Sequence, residues 1–336
     1  MSSTGQSHSG VREVAQLAGV SKSSVSNFFN KPDRLSAEMR AKIAAAVEAL
    51  DFVPNDAARQ LRIGDSGTIG VIAFETENPY FQVFAHTVEE EAERAGLFML
   101  LATSNTADRE RAYLDLFERQ RVRGILIAPI GPVEERVLHI QRRGIPVVVF
   151  GHHSRHSEIS SVSADNARGG ALATEHLIDS GRTRLAFVGA GFDVPQVADR
   201  LSGALAAVSR HPGVTLEVID SGERTTLAGH RIADAIVDRN ARDRPDAVFA
   251  VNDLLAIGLE QGFLARGLSV PADIALIGYD DIEFGQTLPI PLSTIRQSHA
   301  ELGRSAIELL LGGPSSARAL EFQPELIVRE SSAPLS

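Results

Sequence analysis

Between residues 68 and 277 eight short apolar runs recur, at 68–74, 97–102, 124–128, 145–150, 185–189, 214–219, 247–250 and 274–277. Amphipathic stretches such as Phe81–Ala95 and Leu254–Arg266 separate them. Apolar strands that alternate with helices predict parallel sheets covered by helices on both faces. Eight strands over this length exceed one tidy sheet, so the pattern predicts an α/β body of two doubly wound subdomains. In such folds ligands sit in the crevice at the carboxyl ends of the strands.

The 336 residues suit two or three domains. An apolar fraction of 43% with almost neutral mean hydropathy fits a soluble globular chain. No run of 18 or more apolar residues occurs, so no membrane span is expected. The start, MSSTGQSHSG, lacks the charged-then-apolar pattern of a signal peptide. Zero cysteine excludes disulfides and thiolate metal sites. The expected address is the cytoplasm, and no cofactor is expected. Net charge is −10, but it divides unevenly. Residues 1–62 carry eight basic against six acidic side chains, and the remainder 25 against 37. That asymmetry suits a small DNA-binding head on an acidic body.

The head is read from residues 11–30, VREVAQLAGVSKSSVSNFFN. Val11, Val14, Ala15, Leu17 and Ala18 give a first helix one apolar face. Gly19 supplies a residue free to take positive φ in a tight turn. Ser21 is an N-cap, and Val25 and Phe28 form the buried stripe of a second helix. Lys22, Ser23, Ser24, Ser26 and Asn27 are left facing outward, short or polar enough to meet base edges and phosphates in a major groove. An ordinary helical hairpin would share the same amphipathic pattern. A third helix, capped by Ser36, would bury Met39, Ile43, Ala46, Val47 and Leu50. Asn55–Arg62 follows between Pro54 and the turn GDSG at 64–67. It is about two turns long, and isolated helices below roughly 12 residues are marginal in water. It is expected to fray off DNA and form on it; a flexible linker is the alternative.

The run A-x-x-A-G-V-S-x-x-S-V-S-x-x-x-N, from Ala15 to Asn30, resembles the amino-terminal signature of the lactose-repressor/galactose-repressor (LacI/GalR) family. The resemblance continues in order through PNDAARQLR (54–62), TIGVI (68–72), NPYF (78–81), RVRGILIAP (121–129) and GIPVVVF (144–150). It runs on through ADNARGG (164–170), ADRLSG (198–203), PDAVFAVND (245–253), IALIGYDD (274–281), LSTIRQ (292–297) and LIVRES (326–331). It implies a three-helix helix-turn-helix head at 10–54, a hinge helix and linker at 55–67, and a periplasmic-binding-protein-like body at 68–332. The body would divide into an N-subdomain (about 68–164 and 297–323) and a C-subdomain (about 165–294 and 326–332), with crossings near 163–166, 294–297 and 323–326. Implied with it is a repressor, not an enzyme, that binds a pseudo-palindromic double-stranded DNA operator as a homodimer. A small-molecule effector (sugar, sugar phosphate or other small metabolite) would control it. Its DNA contacts would come from Ser21, Lys22, Ser23, Ser24, Ser26 and Asn27 and, in the hinge, from Asn55, Ala58, Arg59 and Leu61. Leu61 stands where the family's leucine wedges into the minor groove. The closing RESSAPLS carries no leucine heptads, which favours a dimer over a tetramer.

Strand ends and the loops after them supply Tyr80, Phe81, Asp165, Gln196, Arg200, Asn252, Asp253 and Asp280 as pocket candidates. By resemblance Tyr80 or Phe81 would stack on the effector while Arg200, Asn252 and Asp280 grip its polar edge; capping is the alternative role for Asn252 and Asp280. Two positions depart from sugar-binding members: Gly151 replaces a common aspartate and Arg224 a common aromatic platform. Two guanidiniums, Arg200 and Arg224, in one crevice would suit an anionic effector, with Asp165 or Asp280 as offsetting carboxylates. Alternatively Arg224 points to solvent and pairs with Glu223 or Asp220. In the head, Asn27 replaces a common arginine, which favours adenine over guanine at one base. His152, His153 and His156 cluster without an evident carboxylate partner, GDSG reads as a turn, and no phosphate loop or catalytic cluster occurs. A solute-binding transport protein would share the body but not the head.

Overall fold

The computed structural model describes residues 10–52, 66–312 and 317–333. They belong to two compact units, divided between Asp65 and Ser66. The first unit is three helices: α1 (Val11–Ala18), α2 (Lys22–Asn30) and α3 (Ala37–Ala49). Gly19 stops α1 in the left-handed region at φ +64°, and the Val20 N–H closes the turn on the Ala15 carbonyl at 3.0 Å. Ser21 caps α2 by accepting from the Ser24 N–H, and Ser36 caps α3 by accepting from the Met39 N–H. Val14, Ala15, Val25, Ile43, Ala46 and Phe52 form the core. Leu17 departs from expectation, being 56% exposed. The buried stripe centres on Val14, Ala15 and Ala18, and Leu17 stands about 100° around the helix from it.

The second unit holds two parallel sheets. The first uses β1 (Thr68–Ala73), β2 (Phe98–Thr103), β3 (Ile125–Ile127), β4 (Val147–Phe150), β5 (Ser160–Ala164) and β11 (Ala319–Phe322), in the order β11-β5-β4-β3-β1-β2. The second uses β6 (Arg184–Gly189), β7 (Thr215–Asp220), β8 (Ala247–Ala250) and β9 (Ala275–Ile277), in the order β7-β6-β8-β9. Central strands are apolar throughout because helices cover both faces, as at Ile125–Ile127 and Ala247–Ala250, where every residue is buried. Four strands went unread in the sequence: β5, β11, β10 (Thr294–Arg296) and β12 (Glu325–Ile327). Each is short and carries serine, threonine or charge (SSVSA, ALEF, TIR, ELI), so no apolar run announced it. Strands β10 and β12 pair antiparallel, outside either sheet.

The chain passes between the two sheets three times. After β5 it enters α7 (Asn166–Asp179), which packs on α8 (Pro195–Ser209) of the second lobe. After β9 it runs through β10 to α12 (His299–Leu311), which packs on α4 (Pro79–Arg94) of the first lobe. After β11 it returns through β12. Among the described residues no helix is long and apolar enough to cross a membrane.

Helices α7 and α8 touch backbone to backbone. A Cβ on Gly203 would lie 1.9 Å from the Ala167 carbonyl oxygen, and one on Gly170 would lie 2.0 Å from that of Arg200. Gly203→Ala therefore forces the helices apart and should lower stability by about 1–3 kcal/mol, read as a lower midpoint of urea unfolding. An unchanged midpoint would mean that the contact relaxes without cost.

Candidate functional site

Helix α2 of the first unit presents its amino-terminal turn. Lys22 and Ser23 are exposed, and Ser24, Ser26 and Asn27 half-buried, while Val25 anchors the opposite side in the core. The Ser21 hydroxyl lies 2.7 Å from that of Ser23 and 2.9 Å from that of Ser24. A helix amino terminus ringed by hydroxyls and a lysine is chemically matched to a phosphate or a base edge. Asn55, Ala58, Arg59 and Leu61 lie outside the described residues.

In the second unit a cavity of about 20 Å³ opens between the two lobes. Phe74, Glu75, Asn78, Tyr80, Phe81 and Gly151 come to it from the first lobe, and Gln196, Val197, Arg200, Arg224, Asn252 and Asp280 from the second. Gln297 joins them from the crossing between β10 and α12. Beside it lies a wider space of about 200 Å³ bounded by Pro132, Val133, His152, Asp193 and Pro195.

The turn after β9 delivers Asp280. Asp280 and Asp281 both hold positive φ, at +111° and +54°, where side chains are strained. The Asp280 N–H bonds the Ile295 carbonyl at 2.8 Å, and the Asp281 N–H the Thr294 hydroxyl at 3.2 Å. The Asp280 carboxylate then accepts from Asn78 Nδ2 at 2.8 Å and Gln297 Nε2 at 3.0 Å, with Arg200 at 3.6 Å. Burial lifts its pKa to about 6 against the opposing pull of Arg200. Asp253 behind it accepts from the Thr294 hydroxyl and the Ile282 N–H, and burial drives its carboxyl well above the usual range. Arg200 donates to Asn166 Oδ1 at 3.0 Å and to the Val251 carbonyl at 2.7 Å. Its guanidinium lies 3.5 Å above the Tyr279 ring.

Eight of the nine effector positions read from sequence thus line one cavity: Tyr80, Phe81, Gly151, Gln196, Arg200, Arg224, Asn252 and Asp280. Asp165 does not; it caps α7 by accepting from the Arg168 N–H at 2.8 Å. Asn252 does both, capping its helix through the Leu255 N–H and donating to the Arg224 carbonyl at 3.3 Å. Gly151 holds φ +78°, and a Cβ there would meet Gln196 Nε2 at 3.3 Å. Gln196 Oε1 is buried without a hydrogen-bond partner.

Arg224 lines the cleft with Arg200, as one sequence alternative had it, and does not turn to solvent to pair with Glu223 or Asp220. It pairs through Nε with Glu75 of the opposite lobe and donates to the Ala190 carbonyl at 2.6 Å. Glu223 instead faces Arg231, and Asp220 accepts from the Gly222 N–H. Each arginine of the cleft therefore already has its own carboxylate: Asp280, one of the two offered from sequence, for Arg200, and Glu75 for Arg224. Sequence reading also passed over Phe74, Glu75, Asn78 and Gln297. Asn78 and Gln297 stood inside NPYF and LSTIRQ, and Phe74 and Glu75 directly follow β1, at the end of a strand where this fold collects ligands. Two of the three histidines lie near carboxylates, beyond hydrogen-bond distance: His152 is 3.6 Å from Asp199 and His153 3.7 Å from Glu321. Among the described residues, however, no three potential ligands converge on a metal position.

The pairing of Arg200 with Asp280 sets a pH dependence. A carboxyl whose folded pKa lies above its unfolded value near 3.8 stays protonated longer when folded, so its contribution to stability falls as pH rises toward about 6 and then levels off. Arg200→Ala removes the opposing charge, raises that pKa further and carries the decline beyond pH 6. The variant should lose about 3–5 kcal/mol at pH 8 and measurably less at pH 5, by urea unfolding. A loss that is equal at both values would show that the charge of Asp280 plays no part.

Residues 11–55 match the family model of bacterial regulatory proteins of the lacI family, and residues 174–332 that of a periplasmic binding protein-like domain. The HTH-type transcriptional repressor PurR of Vibrio vulnificus (strain CMCP6) is 32% identical over 329 residues, 96% of this chain and 98% of its own. Among solved structures, a complex of the transcriptional regulator CelR with cellobiose superposes with a TM-score of 0.70 at 26% identity, covering 96% of this chain and 99% of that one. A LacI family regulator from Enterococcus faecium with bound ribose gives 0.72 at 27% identity, covering 80% and 100%. The chain belongs to the lacI family of bacterial regulatory proteins and is a DNA-binding transcriptional repressor, not an enzyme.

Proposed function

We propose that the chain binds a pseudo-palindromic operator as a homodimer and that a small polar effector in the inter-lobe cleft controls its grip on DNA. The observation that carries the effector reading is the set of bonds crossing the cleft. Asn78 reaches Asp280, Glu75 reaches Arg224, and Asn166 Nδ2 reaches the Gly151 carbonyl. A molecule inserted among these groups interacts differently with open and closed lobes, which is the requirement for shifting one toward the other. The two structural relatives hold cellobiose and ribose, and the carboxamides and aromatic walls of this cleft suit small polar molecules of that class once the lobes part.

Homodimer formation is supported by apolar side chains left on edge strands. Phe98 is 75% exposed on β2 beside Leu100 and Leu101, and Val218 is exposed on β7. Surface of this kind at a sheet edge favours a second copy. The DNA contacts proposed are those of Ser21, Lys22, Ser23, Ser24, Ser26 and Asn27 with Asn55, Ala58, Arg59 and Leu61, which places the protein's work in the cytoplasm.

Binding selection from random DNA, followed by fluorescence anisotropy on the selected site, tests this reading. Leu61→Ala should weaken operator binding by a few kcal/mol while the melting curve stays put, because the kinked complex loses its apolar wedge. Equal affinity would return Leu61 to a linker role. Asn27→Arg should change the preferred base at one position per half-site, and loss of the original contact should cost about 1–3 kcal/mol. Lys22→Ala should weaken all sequences alike and flatten the salt dependence. An unaltered base preference in Asn27→Arg takes that side chain off the reading surface.

A further inference from the structure

The cleft holds two guanidiniums and two carboxylates, and their pairing is particular. Arg200 and Asp280 face each other within the second lobe at 3.6 Å. Arg224 and Glu75 meet from opposite lobes. Arg224 is fixed from several sides: its Nη1 donates to the Ala190 carbonyl at 2.6 Å, and its own carbonyl accepts from Asn252 at 3.3 Å. The guanidinium lies over Gly191, in space that this glycine leaves open: a Cβ there would lie 2.5 Å from Nη1. Glu75 thus sits where an anionic group of a ligand would otherwise meet Arg224.

An anion entering this cavity would find both cations already neutralised and two carboxylates nearby. Removing it from water would have no uncompensated charge to offset the cost. The other lining groups point the same way. Asn78, Gln196, Asn252 and Gln297 are carboxamides, and Gln196 Oε1 is a buried acceptor with no donor. A hydroxyl or an N–H satisfies that oxygen; a fully ionised phosphate or carboxylate oxygen does not.

We infer that Glu75 selects the effector by charge: by neutralising Arg224 it makes the cleft a site for a small neutral molecule rich in hydroxyl or N–H donors, and it excludes phosphorylated and carboxylated analogues. This rests on the cleft being the effector site, as proposed above. Glu75 is then a specificity determinant, and its removal converts the site to one that takes anions through the freed fork of Arg224.

The test uses inorganic phosphate on the full chain, with chloride at matched ionic strength as the reference, followed by thermal shift and calorimetric titration. Parent, Glu75→Gln and Glu75→Gln/Arg224→Gln are compared, with Glu75→Ser replacing the glutamine variant if circular dichroism shows that it does not fold. Only the single variant should bind phosphate saturably, about tenfold or more tighter than the parent, a difference of about 1.4 kcal/mol or more. Phosphate binding as tight in the parent as in Glu75→Gln overturns the inference. So does a single variant that gains nothing, or a double variant that keeps the gain. Operator anisotropy without ligand reports on the repressor reading separately, so failure of one leaves the other standing.

Discussion

A guanidinium taken out of water has five N–H groups to satisfy, and the way Arg200 satisfies them organises the second lobe. Its donors reach Asn166 on α7 and the carbonyl of Val251 after β8, its charge meets Asp280 after β9, and its plane rests on Tyr279. Three separate segments are thereby fixed around one side chain on α8. The backbone approach of α7 to α8 at Gly170 and Gly203 sets the depth at which that side chain enters. Without it the strained turn at Asp280–Asp281 would lose the cation opposite its carboxylate. The cleft is built on this pair, and the cross-lobe bonds of Asn78 and Gln297 end on the same carboxylate.

Much of this was legible in the sequence, for physical reasons that differ between elements. Strands such as Ala247–Ala250 announce themselves because burial on both faces demands unbroken apolar runs. The caps of α2 and α3 were readable because Ser21 and Ser36 are chemically suited to accept from the third N–H that follows. Strands β5 and β11 were not readable. They pair with each other across a long stretch of sequence, and β11 forms an edge where polar residues are tolerated.

The site divides along similar lines. Asn252 and Asp280 follow the ends of β8 and β9, and Tyr80 and Arg200 lie in the first two turns of the helices after β1 and β6, elements that the periodicity announces. The partner of Arg224 could not be read because it lies 149 positions away, on a loop of the other lobe. Local reasoning offered Glu223 and Asp220, both close in sequence, whereas the fold brings Glu75. Asp165 stands outside the cavity lining for the opposite reason: its local duty is to cap α7. A side chain at a helix start is claimed first by the orphan N–H groups next to it.

The three passages between lobes have a consequence for synthesis. The first sheet is incomplete until β11, residues 319–322, is in place beside β5. The second lobe is closed by residues further on, where Ser331 donates to the Leu276 carbonyl and accepts from the Ser293 N–H, and Ser332 bonds Ser293. A chain made from its amino end therefore cannot finish one lobe and then the other, as proteins with contiguous domains do. The three-helix unit precedes both lobes in synthesis, and each lobe remains short of its last piece until residues 319–332 have been made. The three-helix unit exists before the two-lobed one, and loss of the last dozen or so residues of the second lobe would leave the first unit whole beside lobes that cannot complete their fold.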